Sequence, residues 1–315
     1  MIVQRGVAAS LPQGAVVTIG VFDGLHLGHQ SLLNALLAWA RGCSGPAGLI
    51  TFARHPGLVL EQRAPEPLTS LEHRLLLLER AGLDFAWVLD FSSELARLTA
   101  GEFAGQYLAG RLRARGLLLG FDSRIGRDRL GADSPELREL GRRLGFEVRG
   151  HPRVFGPRGA PVSSSLIRDA ICAGRMEEAE ALLGRRVSVL GRVVPGDGLG
   201  RQLGFPTANL DPGEEALLPK GVYAVWVDLA GSRRGGVTNV GHRPTVASAS
   251  APLRVETHLL DFSGDLYGQT LEVSFVKKLR DEKRFENLAA LQRQIADDLE
   301  AARRALREAE GSASA

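Results

Sequence analysis

A change of texture near residue 185 constrains the fold of this chain more than any other feature. Before it, short β-rich runs alternate with helical patterns; after it, strand-like runs follow one another with no helix between. In the front part, residues 15–21 (AVVTIGV) form a β-branched strand. Residues 30–41 follow, with Leu32, Leu33, Leu36, Leu37 and Trp39 at helical spacing. The pattern then predicts strand 48–52, helix 71–81, strand 85–91, helix 102–113, strand 117–121, helix 135–144, strand 146–149, and helices 163–173 and 177–183. Such alternation makes a parallel sheet covered by helices on both faces. Ligands of such sheets gather at the carboxyl ends of the strands. Behind the break, the runs 187–194, 221–229, 235–240, 254–260 and 270–276 are parted by Gly/Pro/Asp turns, the pattern of a small antiparallel barrel. An amphipathic helix over 287–308 and a disordered tail at 311–315 complete the expectation. Two domains result, 1–184 and 185–315, and no internal repeat relates them.

Composition narrows the chemistry. Of 39 Lys+Arg only Lys220, Lys277, Lys278 and Lys283 are lysines, so the front domain has neither a Schiff-base lysine nor the lysine of a G-x-x-x-x-G-K-[ST] loop. Phosphate handled there must be met by arginine, histidine, serine or backbone N–H groups. The net charge of +3 is too small to imply nucleic-acid binding, and the basic excess is local, at Arg111, Arg113, Arg115, Arg124, Arg127 and Arg129. Cys43 and Cys172 are far apart and form no metal-like pair, which fits a reducing cytoplasm. No segment is apolar enough to span a bilayer, and the start lacks a signal-peptide pattern.

Chemistry-bearing residues concentrate in two stretches. In front, Gly20-Val21-Phe22-Asp23-Gly24-Leu25-His26-Leu27-Gly28-His29 lies where the first strand becomes the first helix. A helix start offers unpaired N–H groups and a positive dipole end, and Gly28 permits close approach. Two imidazoles there suit a polyphosphate; the bland alternatives are a metal pair or two surface histidines. Thr51-Phe52-Ala53-Arg54-His55-Pro56 ends at the same sheet edge, and Ser163-Ser164-Ser165-Leu166-Ile167-Arg168 opens a helix with three hydroxyls and an arginine. Serines there act as helix caps or, with the arginine, as a triphosphate clamp.

Behind, the run from Gly196 through Gly198, Gly200, Arg201, Gly204 and Pro206 to Thr207 and Asn209 is glycine-rich, yet it contains neither G-x-G-x-x-G nor a P-loop lysine. Its backbone N–H groups can wrap phosphates. Thr207 and Asn209, two apart on an extended segment, offer neutral oxygens to a magnesium ion already carried by ATP. A long turn with capping residues is the bland alternative. Glu256 lies on a strand beside Val255, and its bland reading is a structural partner of Arg254 or Arg243.

These motifs carry a resemblance. G-x-F-D-G-x-H-x-G-H, T-F-x-x-H-P, G-F-D-x-x-x-G over residues 120–126 and V-S-S-S-x-I-R resemble the adenylyltransferase half of bacterial bifunctional riboflavin kinase/FAD synthetases. G-R-x-L-G-F-P-T-A-N, Asn239-Val240-Gly241-x-Arg243-Pro244-Thr245, Val255-Glu256-Thr257-His258 and Leu279-Arg280-x-Glu282-x-x-Phe285 resemble the riboflavin kinase module. The resemblance implies a Rossmann-like nucleotidylyltransferase domain, then a six-stranded antiparallel barrel with a C-terminal helix. It implies phosphorylation of riboflavin to FMN, then adenylylation of FMN to FAD, each with ATP and magnesium. It further implies that His26 and His29 steady the ATP phosphates, that Gly20, Phe22, Asp23, Gly28 and Asp122 line the nucleotide, and that Ser164, Ser165 and Arg168 hold the β- and γ-phosphates. Glu256 becomes the base for the riboflavin hydroxyl; Arg280 and Glu282 behind, and His55 and Pro56 in front, line the flavin. Departures stand at Arg54, at Ser123 and Ile125 where aromatics are common, at Pro161 where a cation is common (the nearest is Arg158), and at Val246. They leave room for a kinase with a weak or inactive front half. An RNA-binding protein of nucleotidyltransferase fold and a non-catalytic flavin carrier are the other readings. Substrates are then riboflavin, FMN and ATP, with no membrane or nucleic-acid partner and the oligomeric state open.

Overall fold

The computed structural model describes residues 1–6, 11–157, 159–213, 217–229, 231–241 and 254–313. Arg158, Arg243, Pro244, Thr245 and Val246 lie outside the described residues. The chain divides into two compact units, Met1–Glu66 with Leu71–Ser164, and Pro67–Ser70 with Ser165–Ala315.

In the first unit, strands β1 (Ile2–Arg5), β2 (Val16–Ile19), β3 (Ala47–Phe52), β4 (Phe85–Leu89), β5 (Gly116–Gly120) and β6 (Glu147–His151) form one sheet in the order β1-β4-β3-β2-β5-β6. All neighbouring strands run parallel. Helices α1 (Leu27–Gly42), α2 (Gly57–Leu60), α3 (Leu71–Arg80), α4 (Ser93–Arg97), α5 (Ala100–Phe103) and α6 (Pro135–Leu144) connect them. Alternation along the strands sorts the core into two layers. Val16, Leu49, Ala86, Val88 and Leu118 pack with Leu32, Leu33, Leu36, Leu75 and Leu78 of α1 and α3. Val17, Ile50, Phe85, Trp87, Leu117 and Leu119 pack with Phe103, Leu108, Leu137 and Leu140 on the other face. This is the expected sheet with helices on both faces.

Local differences have local causes. Strand β1 lies in a stretch that carried no clear strand pattern, and it is formed by pairing with β4 at the sheet edge. The expected helix over 102–113 begins at Ala100, capped by Thr99 in a reciprocal capping box with Glu102. From Ala104 to Arg111 it widens into a π-helix. Gly105 and Gly110 permit the widening: a Cβ on Gly110 would stand 2.9 Å from the Gly105 carbonyl oxygen.

The second unit opens with α7 (Ser164–Cys172, less its first residue) and α8 (Met176–Leu183). Strands β7 (Ser188–Val194), β8 (Ala208–Asp211), β9 (Gly221–Leu229), β10 (Ser232–Gly241), β11 (Arg254–Leu259) and β12 (Thr270–Arg280) close a barrel in the order β10-β11-β8-β7-β12-β9. Short helix α9 (Leu199–Gln202) lies in the loop before β8, and α10 (Leu288–Ala313) follows β12. Tyr223 and Phe275, edge to face at 5.1 Å, are buried, as is the Thr238–Thr257 hydroxyl pair at 2.7 Å. Ala302, Ala305 and Leu306 of α10 cover Ala224 and Leu260. The tail expected to be disordered continues this helix through Ala313.

Candidate functional site

In the first sheet β2 has β3 on one side and β5 on the other, so the chain order reverses there. Strands β2 and β5 end at Ile19 and Gly120. That reversal is where parallel sheets open a crevice for ligands. The connection from β2 to α1 is tightly wound: Phe22, Gly24 and Leu25 have φ of 56°, 74° and 45°. For Phe22 and Leu25 this left-handed backbone costs on the order of 1–3 kcal/mol each. Burial of both side chains holds it in place.

The turn delivers His26 to the N-cap of α1, where its Nδ1 accepts the His29 backbone N–H at 3.3 Å. The two imidazoles stack with centroids 3.6 Å apart, and Phe22 stacks on His29 at 4.6 Å. A Cβ on Gly28 would stand 3.1 Å from His26 Cε1, so glycine there gives the ring its room. Burial lowers the His26 pKa to about 4, against smaller opposing effects of a backbone hydrogen bond and the Asp23 and Asp122 carboxylates. His29 falls well below its ordinary value through burial, then through the charges of His26 and Arg74. At neutral pH both rings are uncharged hydrogen-bonding groups. His29 Nδ1 is buried and has no hydrogen-bond partner among the described residues.

Among the other expected residues, Asp23, Asp122 and Ser164 are linked to this pair or its turn. Asp23 is buried, and its carbonyl accepts the Ser164 hydroxyl at 3.1 Å, tying the serine run to the β2–α1 turn. Asp122 is exposed just beyond β5, and Gly20 directly follows β2. The Thr51 hydroxyl donates to the Val21 carbonyl at 3.3 Å. His55 Nδ1 accepts the Gly57 N–H at 3.0 Å, and Pro56 caps α2. Ser165 is exposed and Arg168 half-buried on α7, both in the second compact unit. Ile125 is buried in the core, and Pro161 bridges to Phe155. Arg74 escaped sequence reasoning. It is buried on α3, and its Nη2 donates to the Phe52 carbonyl at the end of β3, at 2.8 Å. The signal was present: an arginine among Leu71, Leu75 and Leu78 interrupts an apolar helix face.

In the barrel, register makes the second site. Glu256 of β11 lies opposite Asn209 of β8 and Asn239 of β10, so a carboxylate stands between two amides on one outward face. The row borders a cavity of about 500 Å³ lined also by Gly198, Gly200, Thr207, Arg254, Arg280 and Phe285. A second hollow, about 540 Å³, is lined by Arg201, Pro206, Thr207 and residues 262–267; Thr207 belongs to both. Arg254 Nη1 sits 3.1 Å from Asp197 and 3.9 Å from Glu256. The Pro206 carbonyl lies 2.7 Å from His258 Nδ1. A Cβ on Gly196 would fall onto the Asn209 amide, and one on Gly200 would stand 2.5 Å from the Phe205 carbonyl. Gly204, with φ of 84°, turns the chain out of α9.

Arg280 ends β12 held by Asp298 of α10, with Nε 3.0 and 3.1 Å and Nη2 2.8 Å from the carboxylate. Gln294 supports the same carboxylate at 2.9 Å. Glu282 accepts from Asn239 Nδ2 at 3.4 Å. Asp298 was not foreseen, although a buried acid on a helix that packs against the barrel is a readable signal. Among the described residues no group of three His, Cys, Asp or Glu could hold a metal alone. Thr207 and Asn209 are neutral oxygen donors beside a glycine cradle that a Cβ would fill. That donor set fits a divalent ion brought in by phosphates rather than one caged by carboxylates.

Comparison with known proteins follows the same division. The FAD synthetase family model matches residues 8–166, and the riboflavin kinase (Flavokinase) model matches residues 183–306. A bifunctional riboflavin kinase/FMN adenylyltransferase of Escherichia coli (strain K12) is 40% identical over 288 residues, 91% of each chain. The chain belongs to this bifunctional family. A Bacillus subtilis (strain 168) member is 31% identical over 288 residues, 90% of each chain. A solved structure titled as a macrolide-efflux protein from Streptococcus pneumoniae is 32% identical, with TM-score 0.82 over 96% of this chain and 99% of that one. Among the described residues no helix here is long and apolar enough to cross a membrane.

Proposed function

We propose that this member of the bifunctional family carries out two ATP-dependent steps, riboflavin to FMN in the barrel and FMN to FAD at the parallel sheet, with the functional division at 184/185. The division is supported by the family matches, which leave residues 167–182 between them. The observation that carries the kinase step is the Asn209–Glu256–Asn239 row at the cavity.

Glu256 takes the proton of the riboflavin 5′-hydroxyl as that oxygen attacks the γ-phosphorus of ATP; the bond to the β-phosphate oxygen breaks and ADP leaves. Two hollows sharing Thr207 seat the two substrates: the nucleotide beside Arg201, Pro206 and Tyr267, and the flavin beside Arg280, Glu282 and Phe285. Gly196, Gly198, Gly200 and Gly204 let the loop close on the phosphates. A magnesium ion, held by Thr207 and Asn209, would neutralise phosphate charge.

At the sheet, an FMN phosphate oxygen attacks the α-phosphorus of ATP and pyrophosphate leaves, with no covalent enzyme intermediate. His26 and His29 offer neutral ring nitrogens at the start of α1; Gly20, Phe22, Asp23, Gly28 and Asp122 shape the nucleotide side. Ser164, Ser165 and Arg168 take the leaving pyrophosphate, and His55 and Pro56 border the flavin. Catalysis here is positioning and charge stabilisation. Neither an RNA-binding role nor an idle front half is favoured, because the relatives match across both halves.

Incubation with riboflavin, ATP and magnesium, with FMN and FAD resolved by chromatography, tests both steps. FMN without FAD sinks the second step; neither product sinks both. Glu256→Gln abolishes FMN formation yet leaves FAD synthesis from added FMN, and His29→Ala does the converse. Loss of both activities in either variant refutes two separate sites.

A further inference from the structure

We propose that Phe121, covered by Arg153, is the shelf on which the purine base of ATP stacks during adenylyl transfer, an assignment that rests on the reading of the sheet site as an adenylyltransferase. Phe121 follows Gly120, the last residue of β5, and Arg153 stands two residues beyond the end of β6. The two strands pair up to Gly120 and His151, so both side chains emerge at one edge, the carboxyl edge of the sheet. The Arg153 guanidinium lies 4.1 Å from the Phe121 ring centroid, and Phe121 nevertheless remains 41% exposed. A large aromatic left open to water beside the crevice offers a ring surface on which a planar partner can stack.

The backbone beneath the shelf is fixed. Arg124 Nη1 donates to the Phe121 carbonyl at 3.3 Å and to that of Ser123 at 2.9 Å. The Ser31 hydroxyl and His151 Nε2 are 2.9 Å apart, binding the end of β6 to the first turns of α1. Arg153 is thereby tied to the helix that His26 caps.

The order of groups selects a nucleotide over a flavin. Phe121 precedes Asp122, an exposed acid of the kind that receives ribose hydroxyls at the crevice of parallel sheets. Asp122 lies close enough to His26 for its charge to act on that ring, and His26 begins the phosphate-binding helix. From shelf to acid to histidine the sequence of chemistries is aromatic, carboxylate, anion site. Base, ribose and phosphate follow in the same order. Ser123 and buried Ile125 provide no aromatic surface at this turn, so Phe121 carries it alone.

Base–aromatic stacking contributes about 1–3 kcal/mol by alanine substitution, roughly a 5- to 150-fold change in binding. The test is steady-state FAD synthesis from FMN and ATP with the KM of each substrate measured separately. Phe121→Ala raises the ATP KM about tenfold while the FMN KM stays within about twofold, and Phe121→Trp recovers most of the loss. Arg153→Ala raises the ATP KM less, by about threefold, in keeping with an exposed cation–π contact. An FMN KM within about twofold of wild type reports that the sheet unit of each variant is folded, since riboflavin kinase activity reads only the barrel. A rise in the FMN KM alone assigns the shelf to the flavin and overturns the proposal. An unchanged ATP KM in Phe121→Ala, with wild-type turnover intact, overturns it as well. Absence of FAD from the wild-type reaction instead sinks the adenylyltransferase reading beneath it.

Discussion

The stacked histidines make the first unit acid-sensitive by an amount that can be worked out. His26 passes from an ordinary 6.5 to about 4 on folding, chiefly because burial penalises its charged form. Between those values the unfolded chain binds a proton that the folded chain refuses, so stability falls as pH drops through 6.5 and levels off below about 4. At pH 5 the loss from His26 is about 2 kcal/mol, and well below pH 4 it approaches about 3 kcal/mol. His29, shifted the same way, adds to it. With a urea slope of about 2 kcal/mol/M, the unfolding midpoint of this unit drops by ~1 M from pH 7 to pH 5. Trp39 and Trp87 report this unit once Trp226, on β9 of the barrel, is replaced by phenylalanine. The control is His26→Asn/His29→Gln in the same background: Asn keeps a side-chain cap on α1, but neither amide titrates. If the wild-type midpoint falls no further than that of this control, burial of neutral imidazoles does not govern the pH response.

Gly196→Ala places a Cβ onto the Asn209 amide, so FMN formation drops at least tenfold while FAD synthesis from supplied FMN is unchanged; equal rates would show that the loop yields freely. Asp298→Asn leaves Arg280 without its carboxylate in a site where the two side chains are 20% and 7% exposed. It lowers barrel stability by about 3 kcal/mol, read by denaturation at Trp226, and raises the riboflavin KM.

What could be read from the sequence, and what could not, divides along a physical line. The sheet was legible because Val16–Ile19, Ala47–Phe52 and Phe85–Leu89 are apolar runs buried on both faces, with α1 and α3 supplying helical stripes between them. β1 was not, because an edge strand with Ile2 and Val3 largely exposed needs no apolar pattern, only the free edge of β4. The π-helix was invisible to a search for 3.6-residue spacing; only the pairing of Gly105 with Gly110 marks it. In the candidate sites, residues adjacent in sequence such as His26 and His29 were readable as a pair, and the structure stacks them. Arg74 and Asp298 act from helices remote in sequence on His29 and Arg280, and a periodicity search treats such buried charges as interruptions. The Asn209–Glu256–Asn239 row is a product of strand register, which no single segment contains.

The absence of lysine before Lys220 takes on a different meaning beside these neutral histidines. A phosphate site is commonly pictured as a cluster of positive charge, yet His26 and His29 are uncharged at neutral pH, because desolvation outweighs the two nearby carboxylates acting on His26. A buried permanent cation would carry that desolvation cost in every state of the enzyme. An imidazole at a helix N-terminus carries it only when protonated, and an approaching anion raises its pKa. The positive charge of such a site can therefore rise with the negative charge it meets. Adenylyl transfer is a reaction that makes use of this, since pyrophosphate gathers charge as its bond to the α-phosphorus breaks. Arg74, buried with its guanidinium against the Phe52 carbonyl, opposes protonation of His29 in the unliganded crevice. On the proposed assignment, the stacked pair, neutral before substrate arrives, would supply by proton uptake what a lysine would supply by standing charge.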